Sequence, residues 1–183
     1  MVPRPVAWPQ AWVLIVQEIR RDARPKVWEI LSGTLGLTQA FDEAVWPVAP
    51  PIDVALGPSI HLLSPLFMAG IIDEGRVLLL HLGPPCSSFS IALNSARASA
   101  VLSVAEPAGL HDNPEYKEDK VRLGNSLADA TVVLASAQAP MGRCTQFEQP
   151  QRPLMLDYPP VETKMEEFKF VAYQRDACVD GAP

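Results

Sequence analysis

Apolar positions along the chain follow two spacings, one near two residues and one near three and a half. Lys26 to Leu31 (KVWEIL) alternates and then runs apolar, which predicts a strand. Arg76 to Leu82 (RVLLLHL) is a continuous apolar run that ends at Gly83-Pro84-Pro85-Cys86, the pattern of a central strand covered on both faces and closed by a rigid turn. Arg143 to Phe147 and Phe168 to Tyr173 (FKFVAY) read as two more strands, and Ile52-Asp53-Val54, set among prolines, as a short strand at best. Helical spacing predicts helices over Ala11 to Arg21, from the Ser32-Gly33-Thr34-Leu35-Gly36 turn through Ala44, and over Ser64 to Glu74, where a serine stands ready to cap and a proline follows it. A fourth spans Lys120 to Ala137, with Leu123, Leu127, Ala130 and Leu134 on one stripe. Residues 91 to 119 are small and polar, which predicts a long loop.

Strands that alternate with helices predict an α/β fold, a mostly parallel sheet flanked by helices, and such sheets gather ligands at the carboxyl ends of their strands. Three of the expected strand ends carry glycine or polar residues: Ser32 to Gly36, Pro84 to Ser90 and Glu148 to Pro150. These are expected to face one cleft. A length of 183 residues with 48% hydrophobic and 20% charged residues supports one packed domain and argues against wholesale disorder. The 19 prolines, about twice the usual share, make an all-helical bundle a poor fit. Residues 1 to 25, with four of those prolines, Trp8 and Trp12, are expected to form a leader to a domain over 26 to 183.

A formal charge of −6 repels phosphate backbones at long range, so a nucleic-acid role requires a local basic patch or a partner that supplies one. The cysteines, Cys86, Cys144 and Cys178, are odd in number and widely spaced, which suits a reducing compartment, nuclear or cytoplasmic. No apolar stretch approaches the roughly 20 residues of a spanning helix, so no membrane segment is expected. His61, His81, His111 and the cysteines lack the pair spacing of metal ligands, and no metal site is assigned.

Gly33 and Gly36, between a strand and a helix, allow close approach of the backbone to a nucleotide-like ligand. Asp53, twenty positions beyond Gly33, is placed to present a carboxylate to ribose hydroxyls; a tight structural turn is the plainer alternative. Cys86 stands in a rigid turn that can hold a thiol at a strand end as a nucleophile, against the common outcome of a buried, inert cysteine. Glu148 follows a strand end directly, where a partly desolvated carboxyl can share a proton with a ligand, against the common outcome of a surface glutamate.

In chain order, these segments resemble the DNA (cytosine-5) methyltransferase family across residues 26 to 183. WEILSGTLGLTQAF is similar to the family's glycine turn for S-adenosylmethionine, GPPCSSFS to its Pro-Pro-Cys segment, FEQP to its Glu-Asn-Val, and Gly181-Ala182-Pro183 to the Gly-Val-Pro that introduces a Gln-x-Arg-x-Arg motif. The resemblance implies a Rossmann-like class I methyltransferase fold. It implies S-adenosylmethionine as cofactor, bound through Gly33, Thr34, Gly36, Asp53 and Pro84, and DNA as partner. It also implies Cys86 as the nucleophile toward carbon 6 of a flipped cytosine, Glu148 at nitrogen 3, and closure of the 91 to 119 loop, with Arg97, over the base. Leu35 stands where the family has glycine, and Gln149-Pro150 replaces Asn-Val. Gly124-Asn125-Ser126 looks like part of the family's last motif but is out of order. The resemblance stops at Pro183, so the expectation is a truncated or divergent domain, incomplete at its C-terminal end, weakly active or inactive alone, with target recognition coming from a partner. Two alternatives stand beside it: a non-catalytic relic of the same fold that binds a ligand or another chain, and a cysteine-dependent hydrolase or acyl transferase pairing Cys86 with His81.

Overall fold

A strand of five residues, β1 (Lys26–Ile30), is buried along its whole length, as expected where a sheet is covered on both faces. The computed structural model describes residues 10–21, 23–31, 36–53, 69–70, 72, 76–84, 88–90, 100–149, 153–171 and 173. β1 pairs in parallel with β2 (Val77–Leu82), and β2 in parallel with β3 (Cys144–Phe147), giving the order β1-β2-β3. With helices α1 (Gln10–Arg21), α2 (Gly36–Glu43), α3 (Glu115–Gln138) and α4 (Pro159–Glu167), the architecture is α/β.

The other side of β1 is also occupied. Val48 and Ile52 form single parallel bridges to Val27 and Ile30. The Ala49 N–H donates to Val27 O (2.8 Å), Ile52 N–H to Glu29 O (3.0 Å) and Leu31 N–H to Ile52 O (2.6 Å). Pro50 and Pro51 have no N–H to give, so this strap pairs at intervals instead of forming a full strand. The Trp28 indole, fully buried, donates to Pro50 O at 3.0 Å and locks the strap to β1. The chain therefore leaves β1 on one side and returns as β2 on the other, which puts a reversal of strand order between β1 and β2.

Gln138, fully buried at the end of α3, binds the amino ends of the sheet through Nε2, which lies 3.2 Å from Val77 O and 3.3 Å from Cys144 O. Arg143 donates to Val77 O at 2.8 Å. α1 falls in the segment read as a leader, yet it contributes Ile19 to the core beside the sheet, and buried Lys26 donates from Nζ to Ile19 O at 3.1 Å.

Two apolar clusters share α3. One joins the sheet to Ile19, Ile52, Ile72 and Leu134; the other joins Phe89, Val101, Leu102, Val121, Ala128, Met155, Tyr158 and Val161. Tyr158 donates to Asp129 Oδ1 at 3.1 Å.

Four expectations need correction. α3 starts at Glu115, five residues before the expected Lys120, because its first turn is polar and acidic, which suits a helix N-terminus but carries no apolar period. The expected loop therefore ends sooner, and its residues 91–99 lie outside those described. Leu123 leaves the expected stripe for solvent, at 62% exposure, and the buried face runs through Val121, Gly124, Ala128, Thr131, Leu134 and Ala135. None of the described residues of Phe168 to Tyr173 is in a strand: Phe168 closes α4, Lys169 turns at φ 55°, and Phe170 packs against Phe147 with ring centroids 5.1 Å apart. The helix expected over Ser64 to Glu74 is not among these corrections: its described residues, Ala69, Gly70 and Ile72, are in helical conformation, and its other residues lie outside those described.

Candidate active site at the carboxyl edge of the sheet

Because β1, β2 and β3 are parallel, their carboxyl ends lie along one edge. Backbone hydrogen bonds fix the spacing there: Gly83 N–H donates to Ile30 O at 3.1 Å and Glu148 N–H to Leu82 O at 2.9 Å. Leu31, at the end of β1, holds a left-handed φ of 63° while its side chain is buried. A Cβ at Gly83 would lie 2.9 Å from Leu31 O, so only glycine lets these two strand ends approach so closely. Strained backbone of this kind clusters at ligand sites.

Glu29 organises the neighbouring helix. It is an acidic residue buried inside β1, and its Oε2 accepts from Thr38 N–H at 2.7 Å and from Thr38 Oγ1 at 2.5 Å. A carboxylate there satisfies donors in the first turn of α2 and sits at the positive end of its dipole. This anchors the start of α2 to β1.

On β3's end, Glu148 extends beside His81, the penultimate residue of β2, with Oε2 3.3 Å from Nε2. Gln149 donates from Nε2 to Pro84 O at 2.9 Å, tying the residue after the acid to the chain just past β2.

Of the residues expected at the site, Gly36, Asp53, Pro84 and Glu148 are described. Asp53, buried, ends the strap beside β1, Pro84 follows β2, Glu148 follows β3, and Gly36 opens α2. Gly33, Thr34 and Cys86 lie outside the described residues, as does Arg97. The expectation of a partly desolvated Glu148 is corrected: its side chain is 73% exposed, because β3 ends at the rim and the chain continues past the sheet. Glu29, Gln149 and the His81 contact with Glu148 were not foreseen. The signal for Glu29 was present, a lone acid within a strand otherwise patterned for burial; Gln149 had none until β2 and β3 were known to be neighbours. Gly124, part of the misplaced Gly-Asn-Ser, has a packing reason: a Cβ there would fall 2.0 Å from Ser88 Oγ.

The chain matches no protein-family model, no curated protein and no solved structure. Among the described residues, no three metal-capable side chains gather, and no helix is long and apolar enough to cross a membrane.

Proposed function

We propose that the chain is a Rossmann-like, S-adenosylmethionine-dependent methyltransferase-like domain that acts on carbon 5 of cytosine in DNA. One observation carries this: the segments after β1, β2 and β3 that hold the glycine turn, the Pro-Pro-Cys and the glutamate leave one edge of a parallel sheet, next to its strand-order reversal. Ligands of open α/β sheets bind at such reversals. Cys86 follows two residues after Pro84, and two residues of chain reach at most about 7 Å. Asp53, a buried acid at the end of the strap next to β1, fits a role as acceptor for the cofactor's ribose hydroxyls.

The Cys86 thiolate adds to carbon 6 of the base, and the displaced electron pair makes carbon 5 nucleophilic. A proton delivered to nitrogen 3 through Glu148 meets the charge that develops on the ring, an interaction stronger in the transition state than in the ground state. When bound, S-adenosylmethionine supplies an electrophilic sulfonium methyl that carbon 5 accepts, leaving a neutral thioether. Loss of the carbon-5 proton then restores the ring double bond and expels the Cys86 thiolate.

A charge of −6 leaves DNA engagement dependent on a basic partner surface, and a free thiol suits a reducing nuclear or cytoplasmic setting. The acyl-transfer alternative has less support. The His81 Nε2 faces Glu148, and its Nδ1 is buried with no hydrogen-bond partner among the described residues.

The test is calorimetric titration with S-adenosylmethionine, followed by incubation with duplex DNA whose cytosines are 5-fluorocytosine, which blocks the final proton loss. A covalent adduct in the native chain and none in Cys86→Ser is the expected result. Binding without an adduct leaves a ligand-binding relic, and no binding at millimolar cofactor overturns the proposal.

A further inference from the structure

We infer that the turn closing α2, from Phe41 to Trp46, is a docking knuckle for a partner protein whose contact surface sets lysine or arginine beside aliphatic side chains. Backbone hydrogen bonds build the turn: Ala44 N–H donates to Ala40 O at 3.2 Å, Val45 N–H to Asp42 O at 2.9 Å and Trp46 N–H to Phe41 O at 2.9 Å. The last two form the paired closure that commonly ends a helix, in which the residue after the cap is left-handed and the next one packs back on the final turn. Both features are present. Val45 has φ 60°, and the rings of Trp46 and Phe41 meet edge to face with centroids 6.1 Å apart.

The side chain at the left-handed position is out of place. Glycine is the usual residue there, and a β-branched one is strongly disfavoured. Leu31 holds the same conformation with its side chain buried, so packing offsets the strain. Val45 has no such compensation, being 86% exposed. Trp46 beside it is 49% exposed, which sets two large apolar side chains next to each other on a hydrogen-bonded turn. The charge at this helix end is misplaced as well. Asp42 and Glu43, both exposed, stand at the negative end of the α2 dipole, with no basic residue in its last turn and no ion pair to either among the described residues.

Stability alone would favour glycine at 45 and a cation at 42 or 43. Local rules broken without compensation inside the fold mark surfaces kept for another purpose. A partner of the stated chemistry meets both departures at once: its cation pairs with Asp42 or Glu43 and lies against the Trp46 ring, and its aliphatic side chains take Val45 out of water. The next residue, Pro47, accepts from Val27 N–H at 2.9 Å near the amino end of β1. The knuckle therefore sits at the amino edge of the sheet, away from the candidate site, and docking there requires nothing of the methyl-transfer chemistry.

The probe is an amphipathic helical peptide of leucine and lysine, with a leucine–glutamate counterpart as control, titrated into the nitrogen-15-labelled full chain. The lysine peptide should bind about tenfold tighter than its counterpart, with amide shifts centred on the turn from Phe41 to Trp46. Val45→Gly separates docking from folding. It should raise the thermal midpoint by about 2–4 °C and yet weaken the lysine peptide about tenfold, the loss of one covered valine. Asp42→Asn combined with Glu43→Gln should weaken the same peptide and flatten its salt dependence. A midpoint in Val45→Gly below native gives the valine a role inside the fold and overturns the inference, as does a lysine peptide that shifts other surfaces or none, or that binds Val45→Gly as tightly as native. Sedimentation of the chain alone should show no association through this turn; a dimer that Trp46→Ser dissolves makes the occupant a second copy and overturns the basic partner.

Discussion

Leu31 accepts a left-handed backbone, a conformation that costs a β-carbon-bearing residue roughly 1–2 kcal/mol, because its side chain is buried in the sheet core, where a leucine gains about 1.5–3 kcal/mol. Packing wins, and the strain stays at the carboxyl end of β1. Gly83 is the matching concession on β2. Gly83→Ala should force the two strand ends apart and cost about 1–3 kcal/mol, read as a lower thermal midpoint, with cofactor binding weakened more than stability alone accounts for. Tyr158 gives a pH signature instead. Burial first, and the Asp129 carboxylate second, push its phenol up to about 12 from an ordinary 10.0. The fold favours the neutral phenol, so its contribution is fully present below pH 10 and is lost as pH climbs toward about 12. Thermal midpoints measured across that window should fall in the native chain and fall less in Tyr158→Phe; equal slopes would contradict the assignment.

Strands were legible where the pattern was extreme. KVWEIL and RVLLLHL are dense enough in apolar residues to specify strands, and they appear as β1, buried throughout, and as the middle strand β2, which is buried over Leu80 to Leu82 but leaves Leu78 38% exposed, so the expected cover on both faces is only partial there. Elements whose signals depend on context were not legible. No helix is expected from the sequence over 159–167, yet Pro159 and Pro160 fill the first turn of α4, where a missing N–H costs nothing. FKFVAY alternates like a strand, but its phenylalanines pack as a ring cluster instead, Phe170 on Phe147 and Phe168 on Phe170. At the candidate site, the three strand ends could be read from the chain, but the links between them, Gln149 to Pro84 and Glu148 to His81, join residues more than sixty positions apart that only strand order brings together. The Glu29 link to α2 carries its own prediction. Glu29→Leu should strip two donors of their acceptor and cost about 1–3 kcal/mol, with hydrogen exchange at the Thr38 amide accelerating more than in β2.

Over the whole molecule, cofactor binding and stability should be linked. If S-adenosylmethionine binds the folded chain alone, a concentration one hundred times its dissociation constant raises stability by about 2.7 kcal/mol, visible as a rise in thermal midpoint. Asp53→Ala should blunt that rise; an undiminished shift would remove Asp53 from the pocket. The long helix α3 ties the remaining structure together. At 24 residues it is roughly 36 Å long, with Leu134 in the cluster under the sheet and Val121 and Ala128 in the cluster beside α4. Neither cluster owns it. A protease nick or a split-reporter junction inside α3 would strip cover from both at once, so the chain should melt in a single step and refuse to be divided there into halves that survive apart.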